Sequence, residues 1–156
     1  MKSIHRLCVC TLGIGIFIFS SCKQKLNNTD AYNLNKDTIP PVLALTVPVE
    51  LDSYLYGEDI HIVGTITDLM SRNKLHEYPG KLKSLSLVVQ TMDIVADTVL
   101  KTVFSKNVPV DGKSGLVINE LTSVWGSGGV TNCRLKGMAM DYADRRDSVE
   151  IHFTVH

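Results

Sequence analysis

The sequence predicts an all-β protein, a single antiparallel β-sandwich of about seven strands. Three observations carry this. Apolar and polar residues alternate over short runs, as with Ile60, Ile62, Gly64 and Ile66 against His61, Val63, Thr65 and Thr67, the two-residue period of a strand with one packed face. Clusters of Gly, Asp, Asn and Pro separate the runs, as turns between strands require. Beyond residue 22 no stretch sustains a helical period, which favours packed sheets over alternating β and α.

Lys2 and Arg6 precede an apolar run from Leu7 to Phe19, and Phe19-Ser20-Ser21-Cys22 follows, small residues ahead of a cysteine. This order is that of a secretory signal. The run is about 13 residues, short of the roughly 20 that span hydrocarbon as a helix, so residues 1–21 are expected to be cleaved. Phe-Ser-Ser-Cys resembles a relaxed lipobox of bacterial lipoproteins, and the resemblance implies diacylglycerol on Cys22. Of the four cysteines only Cys133 then remains, so no internal disulfide is expected in an oxidising compartment. Cys133 is in phase with Leu135 and Ala139 and reads as a small core residue.

All 16 acidic residues but only 14 of the 16 Lys and Arg follow Cys22, which leaves the mature chain two charges negative. It has no basic field for nucleic acid or anionic lipid, and membrane attachment would rest on the acyl chains. Residues 22–36 are polar and Asn-rich, a flexible tether. Asp37-Thr38-Ile39-Pro40-Pro41 marks the boundary, since paired prolines hold the chain extended. Residues 37–156 suffice for one core of ordinary size.

Within that domain Leu85, Leu87 and Val89 repeat the strand period, as do Leu116 and Ile118, then Cys133, Leu135, Gly137 and Ala139, and finally Val149, Ile151, Phe153 and Val155. Tyr56-Gly57-Glu58-Asp59 reads as a turn into the Ile60 strand, Asp111-Gly112 as a hairpin, and Gly126 to Gly129 as a permissive loop. Trp125 is expected to plug one end of the core.

Asp37-Thr38-Ile39-Pro40-Pro41, the run Gly57 to Asp68, and Met138-Ala139-Met140-Asp141-Tyr142-Ala143 together resemble the opening, second strand and penultimate strand of bacterial immunoglobulin-like domains of the cadherin or fibronectin type. The resemblance covers about residues 37–155 and implies an immunoglobulin-like sandwich. In such domains the late motif runs Asp, any, any, Gly, Asn, whereas Asp144 and Arg145 hold the last two places here. Residues 69–80 look like an insertion into a loop that is short in such domains, and no cysteine pair links the sheets.

That topology puts the ends of the second and sixth strands at one pole. Asp68, the inserted Arg72, His76, Glu77 and Tyr78, and the turn with Asp141, Asp144 and Arg145 would gather there as a ligand or partner surface. Calcium between Asp68, Asp141 and Asp144 is the sharper expectation, because hard cations take several converging oxygens. The plainer one is that these aspartates accept hydrogen bonds from turn amides. Asp37-Thr38-Ile39, Asp97-Thr98-Val99 and Asp147-Ser148-Val149 resemble a three-residue O-glycosylation pattern of periplasmic proteins, which marks Thr38, Thr98 and Ser148.

Other motifs fail on spacing. Gly112-Lys113-Ser114 ends like a phosphate loop, but Asn107 stands where the leading glycine belongs. No histidines share metal-helix spacing, and His61 and His152 read as outward strand residues. No nucleophile has a recognisable elbow or paired base. The expectation is a non-enzymatic lipoprotein of the outer membrane, binding or scaffolding an envelope protein or glycan. Its alternatives are a carbohydrate-binding accessory of a glycan-utilisation system and a calcium-stabilised adhesin. Lys23-Gln24-Lys25 lacks an acidic surface-export tag, which favours the periplasmic face.

Overall fold

Among the described residues the alternating runs form ten strands: β1 (Val42–Val47), β2 (Ser53–Tyr54), β3 (Ile60–Thr67), β4 (Leu69–Arg72), β5 (Glu77–Pro79), β6 (Leu82–Asp93), β7 (Thr98–Val108), β8 (Gly115–Thr122), β9 (Thr131–Asp141) and β10 (Arg146–Val155). The computed structural model describes residues 37–72, 77–126 and 128–156. The signal segment, Cys22 and the tether lie outside the described residues, as does His76.

Two sheets make the body, β1-β3-β8 and β2-β10-β9-β6-β7, with β4 and β5 as a separate hairpin. The layering resembles an immunoglobulin or fibronectin III sandwich. It departs from the expected seven antiparallel strands in two ways. Residues 69–80, read as a loop insertion, contain the β4–β5 hairpin. The two-residue β2 runs parallel to β10, with Thr154 opposite Ser53 and Val155 opposite Tyr54, too short a pairing to leave a periodic signal. The Asp111-Gly112 turn also differs from expectation. Gly112 takes the left-handed φ of 72° that such a turn needs, yet the flanking β7 and β8 belong to different sheets, so the turn is a crossover.

The core is the inner face of both sheets. Ile60, Ile62 and Ile66 of β3 face Leu85, Leu87 and Val89 of β6, Cys133, Leu135 and Ala139 of β9, and Ile151, Phe153 and Val155 of β10, all buried. Cys133 sits where its phase with Leu135 puts it, and burial pushes its thiol up to about 11, which suppresses the reactive thiolate. His61 and His152 are exposed, as strand alternation requires.

Two glycines on the inner face let strand β1 close over the core. A methyl on Gly64 would collide with the Ala44 carbonyl, which is backbone, whereas one on Gly137 would meet the flexible ends of Leu43 and Leu45, at 2.8 and 3.3 Å. Side chains can rotate away and a paired strand cannot. Gly64→Ala is therefore expected to cost about 1–3 kcal/mol and Gly137→Ala less, read by urea denaturation. The reverse order would show that β1 is free to shift.

Antiparallel pairing fixes two poles. At the near pole β3 ends, β9 ends and the chain arrives before β1, because Val42 pairs with Thr67 and Leu82 with Asp141. At the far pole β3 begins opposite the end of β8, and β9 begins opposite the end of β10.

Candidate metal centre

Three aspartates meet at the near pole. Asp68 follows the last residue of β3, Asp141 ends β9, and Asp37 stands in the extended segment before β1. All three are buried, 1%, 0% and 1% exposed, and one carboxylate oxygen from each lies within 4.8 Å of the others.

The backbone explains the convergence. The Asp68 amide donates to the Ser114 carbonyl at 2.8 Å, and its own carbonyl accepts from Gly80 at 3.0 Å, so the β8 approach and the end of the inserted hairpin clamp it. A side chain at Gly80 would run into the Asp68 carboxyl group; glycine alone fits there. Asp37 is held by its neighbour, since the Thr38 amide donates to Met70 at 3.0 Å. Asp141 Oδ1 accepts from the Arg145 amide at 2.8 Å, while the Arg145 guanidinium donates to Asp37 Oδ1 at 2.8 Å.

Polar satisfaction is uneven. Asp141 Oδ1 accepts a turn amide, the plainer of the two expectations, but among the described residues none completes a hydrogen bond to either oxygen of Asp68, which the Lys81 amide only approaches, or to Asp141 Oδ2. Burial first, then Asp37 and Asp141, push the Asp68 carboxyl up to about 6; the nearby Lys81 amide and Arg145 pull it down without cancelling the rise. An unpaired buried carboxylate is costly. Ionised, the three carboxylates and one guanidinium sum to a double negative charge, which a divalent cation neutralises.

The cluster can coordinate such a cation, calcium being the natural one. Oxygens on a common calcium at 2.3–2.6 Å are at most about 5.2 Å apart, which this grouping satisfies. Hard oxygens without His or Cys suit calcium over zinc. Magnesium keeps several waters and rarely takes a site closed by protein carboxylates.

The membership differs from the sequence-based trio. Asp144 is exposed and pairs with Lys83 at 2.6 Å; that ion pair, through its hydrogen bond, holds the Asp144 carboxyl below its usual range. Asp37 takes the third place. Its signal lay in topology: a first strand antiparallel to β3 must start where β3 ends, so the Asp before the Pro-Pro pair lands beside Asp68. Asp144 fills instead the backbone role of the missing glycine, with φ of 60°, a conformation Asp tolerates better than most residues. Arg145, in the place of Asn, reaches Asp37.

The rest of the expected surface lies on the hairpin that follows Asp68. Arg72 pairs in register with Glu77 across the β4–β5 hairpin, which also carries Tyr78. Thr38, Thr98 and Ser148 are all exposed, the last two inside β7 and β10. Trp125 corrects its expected role: it is 78% exposed at the far pole and plugs nothing.

No family model matches the chain, and no curated protein matches it. Among solved structures it is similar to the fibronectin(III)-like modules of Clostridium thermocellum CbhA, at 16% identity over 73% of this chain and 94% of that one, TM-score 0.37. It is also similar to a Niemann-Pick type C2 protein from Japanese carpenter ant, at 9% identity over 77% of this chain and 95% of that one, TM-score 0.45. Likenesses this distant leave the site to be argued from its own chemistry.

Proposed function

We propose that this chain is a non-enzymatic binding or scaffolding module whose sandwich is closed at its near pole by calcium, held on an outer membrane, periplasmic side, by lipid on Cys22. One observation carries the cation: Asp68 is buried, no described residue completes a hydrogen bond to either of its carboxylate oxygens, and it faces Asp37 and Asp141. Calcium supplies the missing partner and fastens the first residue of the domain to the ends of β3 and β9. The lipid anchor is supported by the order of charge, apolar run and Ser-Ser-Cys in the sequence. The calcium-stabilised reading is thus preferred to a plain lipoprotein spacer.

The test is a calcium titration of the domain from residue 22 onward, free of lipid, followed by thermal melting. The wild type is expected to gain several degrees saturably. Asp68→Asn should lose the gain, and Asp144→Asn should keep it. A wild type indifferent to calcium would end the cation reading.

A further inference from the structure

The far pole is built differently from the near one. Trp125 packs its six-membered ring against the Gly57 turn, where a Cβ would fall 2.8 Å from two carbons of that ring, and Gly57 holds a left-handed φ of 77°. The indole Nε1 donates to Ser123 Oγ at 3.0 Å, and the Gly57 amide to the Val124 carbonyl at 3.0 Å. Tyr56 packs reciprocally on Gly126, its hydroxyl donating to the Gly129 carbonyl at 3.2 Å. The ring is thereby fixed in orientation while most of it faces solvent, so a ligand would meet it already ordered.

Trp125 is not an isolated exposed residue. Leu51, Leu55, Ile94, Val95 and Val130 are also exposed on loops and strand ends of this pole, Val95 at 98% and Leu51 at 81%. Scattered single apolar residues are ordinary on a surface, and several at one end offer a partner apolar area to cover. The charge there is mostly negative, the nearest cations being Lys101, opposite Thr91, and Arg134, opposite His152 and paired with Glu150 at 3.4 Å. Segments 48–60, 91–100, 121–132 and 151–156 contain Glu50, Asp52, Glu58, Asp59, Asp93 and Asp97 and not one Lys or Arg; histidine is their one basic residue type. Glu58 and Asp59 directly follow the glycine that carries the indole. Lys81, Lys83, Arg145 and Arg146 lie towards the opposite end.

We infer that the far pole docks a cationic, apolar segment of a partner protein, with an Arg or Lys side chain over the face of Trp125 and carboxylates such as Glu58 and Asp59 around it. A cation over an indole face is attracted by the ring quadrupole, and a carboxylate rim steers a positive partner and rejects acidic surfaces. Anionic lipid is disfavoured by the same carboxylates. The inference is independent of the cation at the near pole.

The probe is a fluorescein-labelled peptide of alternating Arg and Leu, against its Glu and Leu counterpart, with anisotropy read on the lipid-free domain from residue 22 onward. The Arg-Leu peptide is expected to bind saturably. Trp125→Ala and the pair Glu58→Gln, Asp59→Asn should each weaken it roughly tenfold, and a severalfold rise in salt should weaken it further. Asp144→Asn, at the other pole, should leave it unchanged, and circular dichroism should show all variants folded as sheet. The inference is overturned by equal binding of the Glu-Leu peptide, by no binding of the Arg-Leu peptide, by Trp125→Ala binding like wild type, or by displacement with a neutral oligosaccharide.

Discussion

With calcium chelated, the melting temperature of this domain is expected to fall as pH rises from about 4 to about 7, relative to that of Asp68→Asn. The sign follows from the direction of the shift. The Asp68 carboxyl is pushed from 3.8 to about 6 in the fold, so between those values the native state holds a proton that the unfolded chain has released. Stability therefore declines as pH rises through the window and levels off above the folded value. Two pKa units correspond to about 3 kcal/mol, an upper figure because other carboxylates of the cluster relax with it. Saturating calcium should abolish the decline, since it replaces the proton as the partner of the charge; at a hundredfold excess over Kd it adds about 3 kcal/mol at neutral pH. Parallel pH profiles of wild type and Asp68→Asn in chelator would refute the account of the unpartnered carboxyl.

The largest loss of stability is expected at Phe153. It is 2% exposed, sits on β10 opposite Cys133, and meets the ring of Tyr54 edge-on, centroids 5.8 Å apart at 87°. Phe153→Ala removes a ring from a closed interior and leaves a cavity, at about 3–5 kcal/mol, a large share of the 5–15 kcal/mol that a domain commands. Phe153→Leu should cost much less, because it leaves most of the volume filled. His152→Ala, one residue away on the exposed face, should stay within about 0.5 kcal/mol. Urea denaturation of the three variants checks the order; a His152→Ala loss matching that of Phe153→Ala would mean the faces of β10 are misassigned.

Local period made the long strands legible. Ile60 to Ile66, Leu85 to Val89, Cys133 to Ala139 and Ile151 to Val155 all face the core as alternation predicts, because a two-residue period is stored in neighbouring letters. Strand β2 was not legible: two residues carry no period, and its pairing with β10 spans about a hundred positions. Trp125 misled for a related reason. Its hydrophobicity argues for burial, but its place is decided by Gly57, distant in sequence, which removes the Cβ that would push the indole away. At the cation cluster, the two strand-end aspartates were legible from strand order. Asp37 was hidden because its proximity comes from the antiparallel approach of β1, and Asp144 was overrated because nearness in sequence to Asp141 says nothing of the turn that aims it at Lys83.

The position of Asp37 has a mechanical corollary. A partner held at the far pole and a membrane anchor upstream of residue 37 would pull the domain along its long axis. Strand β1 would then be drawn lengthwise against β3, to which it is paired from Val42 to Val47. In that shear geometry the rungs of the ladder carry load together rather than parting one at a time. A cation gripping Asp37, Asp68 and Asp141 would stand first in line to take the force, and calcium supply would set how hard the module can be pulled before its first strand slips.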